Sequence, residues 1–332
     1  MSVSVAVLPG CSTDSRRDRV VISPAAARAV VQSYWPKREA AIAAGDVTRI
    51  KALESGAAGQ VDGAVAEDEH ARSPWPGSAR VRTHKEVMVF VPRQTTYPAT
   101  FLAEVITETY ESREPFKEIM VFIKSSADMP WQLTLDVGGS TIGVDPAGVD
   151  NRFDPAPPRL AGVDPSAFPG KLASYWQACW VTGRAPIGNG NDFLPGYWTT
   201  QKCNAIAGSS PGRFDPTCGC IPRLSYSSNS ATGEFSFNTH SGSLLSCFAI
   251  RIDDQSRALP HAVLLQDDGR NHWGGKLPPG TYSEIDQTSL RQVCVFTGPQ
   301  QRDLLDVLGG TDAFIKITGI PARTQAQQRQ ND

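Results

Sequence analysis

No run of apolar residues in this chain approaches the roughly 18 to 20 that a membrane-spanning helix requires, and the mean hydropathy is negative. A dominant charge is missing too. The 32 Lys and Arg residues are balanced by 34 Asp and Glu, which leaves no concentrated basic face of the kind a nucleic-acid binder uses. Histidine and methionine are scarce, at 5 and 4 residues, and no catalytic set emerges from their spacing. Between Ser12 and Ala178 there is no cysteine. These gaps exclude a helical integral membrane protein and a nucleic-acid partner. They give no reason to expect a cofactor or a metal.

What is present begins with size. A chain of 332 residues, 40% hydrophobic, can bury a sizeable core, and its length favours two domains of about 150 residues each. The 25 Pro and 29 Gly imply many turns. Six of the seven cysteines, Cys179, Cys203, Cys218, Cys220, Cys247 and Cys294, lie in the second half. An even set confined to one region fits an oxidising compartment and three disulfides. Buried free thiols are the simple alternative. A zinc site on Cys203, Cys218 and Cys220 is weaker, because Cys218-Gly219-Cys220 lacks the usual two-residue ligand spacing. Cys218 and Cys220 should take different partners, since a ring closed across one Gly strains the backbone. Cys203 is the nearest partner in sequence for one of them.

Cys11 stands apart. A short apolar run precedes it, with Leu8 three residues upstream and Gly10 immediately before. This segment resembles the end of a bacterial lipoprotein signal, with Pro9 where a small residue is usual. The resemblance implies cleavage before Cys11 and a diacylglycerol on its thiol, hence a membrane surface as partner. A frayed terminus with an incidental cysteine is the alternative. The polar run Ser12-Thr13-Asp14-Ser15-Arg16-Arg17-Asp18-Arg19 would serve as a tether between lipid and folded domain. With the paired cysteines, this places the protein outside the cytoplasm, anchored to the outer face of the cell membrane.

Organisation along the chain is α+β. Val21 to about Asp46 reads as a helix: Ser23-Pro24 starts it, Pro36 would bend or interrupt it, and Gly45-Asp46 ends it. Helix and loop continue to residue 70. Strand patterns follow at Glu86–Pro92, Thr100–Thr109, Glu118–Lys124 and Trp131–Val137. Prolines crowd residues 145–170. A second helix then carries Leu172, Tyr175, Trp176, Cys179 and Trp180 and stops at Gly183. Strands follow at Glu234–Thr239, Leu244–Ile252, His261–Gln266, Val293–Thr297 and Ala313–Thr318. Ser174-Tyr175-Trp176 echoes Ser33-Tyr34-Trp35 at the same place in a repeated helix-then-strands order, which points to tandem related domains. The expected organisation is a signal remnant and tether at 1–20, a first domain at 21–144 and a Pro-rich linker at 145–170. A second, disulfide-containing domain at 171–322 and a polar tail at 323–332 complete it.

Four segments of the first domain carry a family likeness: Ser33-Tyr34-Trp35; Arg38-Glu39-Ala40-Ala41 with Gly45-Asp46; Val91-Pro92-Arg93-Gln94; and Pro130-Trp131-Gln132-Leu133. They resemble secreted lipoproteins of actinobacterial type. The domain is also similar to the cystatin-like or nuclear-transport-factor-like cone, in which a curved, mostly antiparallel sheet wraps a long helix. The second half matches by pattern only. The cone superfamily includes enzymes and pure binding modules, so the resemblance does not settle function.

Candidate chemistry is thin. Gly208-Ser209-Ser210-Pro211-Gly212 matches the nucleophile-elbow spacing, but Pro211 lacks the N–H that would follow the nucleophile in an oxyanion hole. Glu67-Asp68-Glu69-His70 has ligand residue types, yet adjacent residues diverge around a helix. Gly188-Asn189-Gly190-Asn191-Asp192 lacks the acidic pattern of calcium loops. The loop holding Asp267, Asp268, Arg270, His272 and Trp273 groups acid, base, imidazole and indole as a ligand-binding lip would, although a hairpin tip explains Asp268-Gly269 as well. The expectation is therefore a membrane-anchored binding or interaction module for a protein or small molecule. An extracytoplasmic hydrolase or isomerase with a cone-shaped cavity is the rival.

Overall fold

The computed structural model describes residues 20–67, 83–108, 116–138, 163–186, 192–207, 220–229, 233–238, 242–259, 262–266, 277–278, 280–298 and 304–322. The class is α+β, with helices packed on two open antiparallel sheets. Three helices come first: α1 (Pro24–Ala44), α2 (Val47–Leu53) and α3 (Gly56–Glu67). The first sheet is a meander of β1 (Thr83–Phe90), β2 (Ala99–Glu108), β3 (Phe116–Lys124) and β4 (Gln132–Gly138), in sequence order. Helix α4 (Phe168–Thr182) leads the second half. The second sheet has β5 (Cys220–Ser228), β6 (Glu234–Asn238), β7 (Leu244–Ala258), β8 (Leu264–Gln266), β9 (Gly280–Thr297) and β10 (Asp306–Pro321). Its order is β10-β9-β7-β5, with β6 beside β7 and β8 beside β9. Residues 139–162 lie outside the described residues, and most of the Pro-rich linker with them.

The two Ser-Tyr-Trp helices are built alike. Each ends on a glycine in the left-handed region, Gly45 at φ 65° and Gly183 at φ 67°, where a side chain would be strained. Of the two expected effects of Pro36, a bend or an interruption, the interruption does not occur: α1 runs unbroken from Pro24 to Ala44. Pro36 sits on the exposed face of the helix, where water can satisfy the carbonyl that its missing N–H leaves behind.

Strand alternation gives each sheet two apolar faces. In the first sheet Phe101, Ala103, Val105, Met120 and Phe122 face α1, packing with Val31, Tyr34 and Trp35. Leu102, Val121, Leu135 and Val137 face the other way and meet Phe237, Leu245, Cys247, Ala249, Leu290 and Cys294 of the second sheet. The far face of that sheet carries Phe248, Ile250, Val293 and Val295 and packs on Leu172, Trp176, Cys179 and Trp180 of α4. The layers run helix, sheet, sheet, helix. Polar bonds join the middle layers: the Asp136 N–H donates to Gln292 Oε1 at 2.8 Å, and the Gly138 N–H to Thr311 Oγ1.

One irregularity lets β4 serve two cores. Phe122 pairs with Leu133 but Val121 with Leu135, leaving Thr134 as an extra residue. This bulge switches the alternation. Leu133 therefore joins the helix-side core, while Leu135 and Val137 join the sheet–sheet core.

Candidate functional site

Helices α1, α2 and α3 enclose a buried ionic cluster. Tyr34 and Arg38 are one turn apart on α1 and share a face. Asp46 caps α2, accepting from the Arg49 N–H at 3.0 Å, and so sets the direction in which α2 delivers Glu54. Glu54 and Ser55 are then hooked to β4: the Ser55 N–H donates to the Leu133 carbonyl at 2.8 Å, and Gln132 Nε2 donates to the Lys51 carbonyl at 2.9 Å. A Cβ on Gly59 would come within 3.2 Å of the Glu54 carbonyl carbon, so glycine permits the close turn of α3 against the end of α2. Asp62 on α3 completes the set.

Tyr34 Oη donates to Glu54 Oε1 at 2.6 Å. Arg38 Nη2 donates to Asp62 Oδ1 at 2.7 Å and Arg38 Nε to Asp62 Oδ2, a bidentate pair. Arg38 Nε also lies 3.7 Å from Glu54 Oε1, and its guanidinium stacks 5.5 Å from the Trp35 ring centroid. The Glu54 side chain is 0% exposed and that of Arg38 16%. Burial, then the Asp62 charge and hydrogen bond, push the Glu54 carboxyl up to about 10. Burial, followed by the neighbouring Glu54, also raises the Tyr34 phenol well above its ordinary value. Glu54 therefore holds its proton, while the Arg38 guanidinium pairs with Asp62. The cluster is neutral in sum and sealed.

Beside it lies a cleft of about 480 Å³ lined by Lys51, Glu54, Ser55, Gly59, Gln60 and Ile315, among others. Ile315 comes from β10, so the cleft opens where the helices meet the second sheet.

The second half has its own buried cation. Arg291 on β9 stacks 4.6 Å from the Trp176 ring centroid and 5.8 Å from that of Trp198. Trp176 Nε1 donates to the Trp198 carbonyl at 3.0 Å. In both halves the tryptophan of the Ser-Tyr-Trp motif packs under a guanidinium. In the first half that group comes from the same helix; in the second it comes from a strand.

The cysteines divide. Cys179 bonds to Cys203 and Cys247 to Cys294. Cys203 is thus joined to helix α4, not to Cys218 or Cys220 as its place in the sequence led us to expect. Spatial neighbourhood decided the pairing, because α4 and the segment around Cys203 pack into one core. Cys247 and Cys294 stand directly opposite in the β7–β9 register and point into the sheet–sheet core. Cys220 opens β5, paired through its backbone with Ala258, and Cys218 lies outside the described residues. So do Cys11 and the loop with Asp267, Asp268, Arg270, His272 and Trp273. Glu67 closes α3, whereas residues 68–70 and 208–212 are not described. Asp192 forms an ion pair with Lys171 at 2.9 Å. Among the described residues no group of three or more His, Cys, Asp or Glu could hold a metal ion.

Sequence reasoning missed Glu54 and Asp62. They lie 20 and 24 residues from their partners Tyr34 and Arg38, so no local spacing marks them.

This geometry defines a class: an α+β protein of two packed antiparallel sheets with a buried ionic cluster among its first three helices. The chain belongs to the family described as Domain of unknown function (DUF8094), whose model matches residues 19–273. That match spans the first sheet and runs through β8 of the second. No curated protein and no solved structure matches the chain.

Proposed function

We propose that the protein is a membrane-anchored extracytoplasmic lipoprotein that acts as a binding or interaction module, presenting an outer surface to its ligand rather than enclosing it. One observation carries this reading. The helix-facing side of each sheet, where a cone-shaped fold would house a ligand, is filled with rings. In the first half Phe101 stacks on Phe122 at 4.9 Å and meets Trp131 edge-on at 4.9 Å. In the second, Trp176 and Trp180 are fully buried and Tyr175 packs on Phe193 at 5.2 Å. The two disulfides among the described residues fit an oxidising compartment, and no described helix is long and apolar enough to cross a membrane. Lipid on Cys11 then supplies the attachment.

The rival, an extracytoplasmic hydrolase or isomerase, would draw on the proton of Glu54 beside the cleft. A side chain with no exposed surface cannot reach a substrate atom. Two measurements test the proposal. Cys11→Ala in the full-length precursor abolishes lipid labelling and releases the protein from membranes; retention of the variant with the membrane fraction refutes the anchor. Saturable one-to-one uptake of a small apolar dye by the folded protein would refute the filled core.

A further inference from the structure

We propose that the end of the first sheet where the chain enters is a membrane-docking face, and that its partner is the anionic headgroup surface of the bilayer. The proposal rests on the lipid anchor at Cys11 and adds to it a second, folded contact.

In an antiparallel meander the β1–β2 and β3–β4 connections leave from the same end of the sheet. Here they are residues 91–98 and 125–131, and Ala99 pairs with Lys124 just inside them. The start of the described chain comes to this end as well, since the Val21 N–H donates to the Gln94 carbonyl at 2.8 Å. Three segments distant in sequence therefore converge. Each exposes a large apolar side chain: Val20 is 43% exposed, Tyr97 38% and Met129 44%. Apolar side chains left exposed together mark an interaction surface. A cation lies against one of them, with Lys124 Nζ 5.8 Å from the Tyr97 ring centroid. Residues 20–28, 91–98 and 124–131 together carry Arg28, Arg93 and Lys124 against one acid, Asp128.

The tether selects the partner. Eight residues separate Cys11 from Val20, and even fully extended they reach about 30 Å. A lipid on Cys11 therefore keeps this end close to the headgroups, at an effective concentration in the millimolar range. A contact too weak to bind membranes alone then suffices. Tyrosine favours the headgroup region, small apolar tips insert into it, and Lys and Arg pair with anionic lipid.

The test couples the mature chain through Cys11 to a maleimide lipid in vesicles of phosphatidylcholine and phosphatidylglycerol, with the site of coupling checked by mass spectrometry. Amide hydrogen exchange is then compared on and off the vesicle. Amides of residues 93–97 and 126–129 should slow by about threefold or more on tethering, with no change in β8 and the adjoining end of β9. Val20→Ser/Tyr97→Ser/Met129→Ser, at exposed positions that leave the fold intact by circular dichroism, should stay tethered yet lose that protection. Unchanged exchange in the tethered wild type overturns the proposal, as does equal protection in the triple variant. Protection that appears on raising the protein concentration without vesicles assigns the face to a second copy and also overturns it. Because the coupling is chemical, this outcome is independent of whether cells lipidate Cys11.

Discussion

Replacing Glu54 by Gln should make the protein's stability less dependent on pH, and the direction follows from the proton on Glu54. In the unfolded chain this carboxyl titrates near 4.5, and in the folded protein it is pushed up to about 10, by burial first and then by Asp62. Folding between those values therefore takes up a proton. The folded state gains its full advantage from Glu54 below about 4.5 and loses it steadily as pH rises toward about 10. One proton corresponds to about 1.4 kcal/mol per pH unit, so the wild type should lose up to about 4 kcal/mol between pH 5 and pH 8 through this residue. The amide introduced by Glu54→Gln would keep the hydrogen bond from Tyr34 Oη and remove the titration. Urea unfolding of Glu54→Gln and wild type at pH 5, 6, 7 and 8 measures the difference. The variant should gain on the wild type at each step. Asp254, pushed up to about 6 by burial and then by Asp286, titrates in both proteins and cancels. A gap that stays constant within about 0.5 kcal/mol across that range would mean Glu54 is ionised in the folded protein and the neutral cluster is wrong.

Arg38→Met should cost about 3 to 5 kcal/mol by leaving Asp62 buried without its guanidinium. Adding Asp62→Leu should recover more than half of that loss in urea unfolding; a double variant as unstable as the single one refutes the charge argument. Removing the Cys247–Cys294 disulfide as a double Ala variant should cost about 4 kcal/mol, since its ends are 47 residues apart. The Cys179–Cys203 pair, 24 residues apart, should be worth about 3.5 kcal/mol. A loss below about 1 kcal/mol at either site would show that the staple does not constrain the unfolded chain.

The first sheet was legible because apolar alternation and turn residues coincide there. Its four strands begin and end within three residues of the expected ones. The second sheet was read only where it is apolar. Val293 to Thr297 was seen as a strand, but β9 starts at Gly280 and β10 spans Asp306–Pro321. Their outer stretches carry Asp, Gln, Ser and Thr, which give no apolar alternation, and are held as strands by pairing with neighbours. β5, with Pro222 and three serines, gave no strand signal and was missed; it is an edge strand, where proline is tolerated. The face-to-face contact of the sheets was illegible for another reason. Alternation shows that a strand has two apolar faces, not what covers them.

Most isolated antiparallel sheets with a helix on one side can turn the other side to solvent or to a twin subunit. This chain closes that option internally, since Leu102, Val121, Leu135 and Val137 of one half are met by Leu245, Ala249 and Leu290 of the other. The two halves stand toward each other as the protomers of an obligate dimer do, with covalent continuity in place of mass action. Dilution cannot part them. A fragment ending at Gly138 would bare an aliphatic wall, and self-association or aggregation would be its fate rather than autonomous folding.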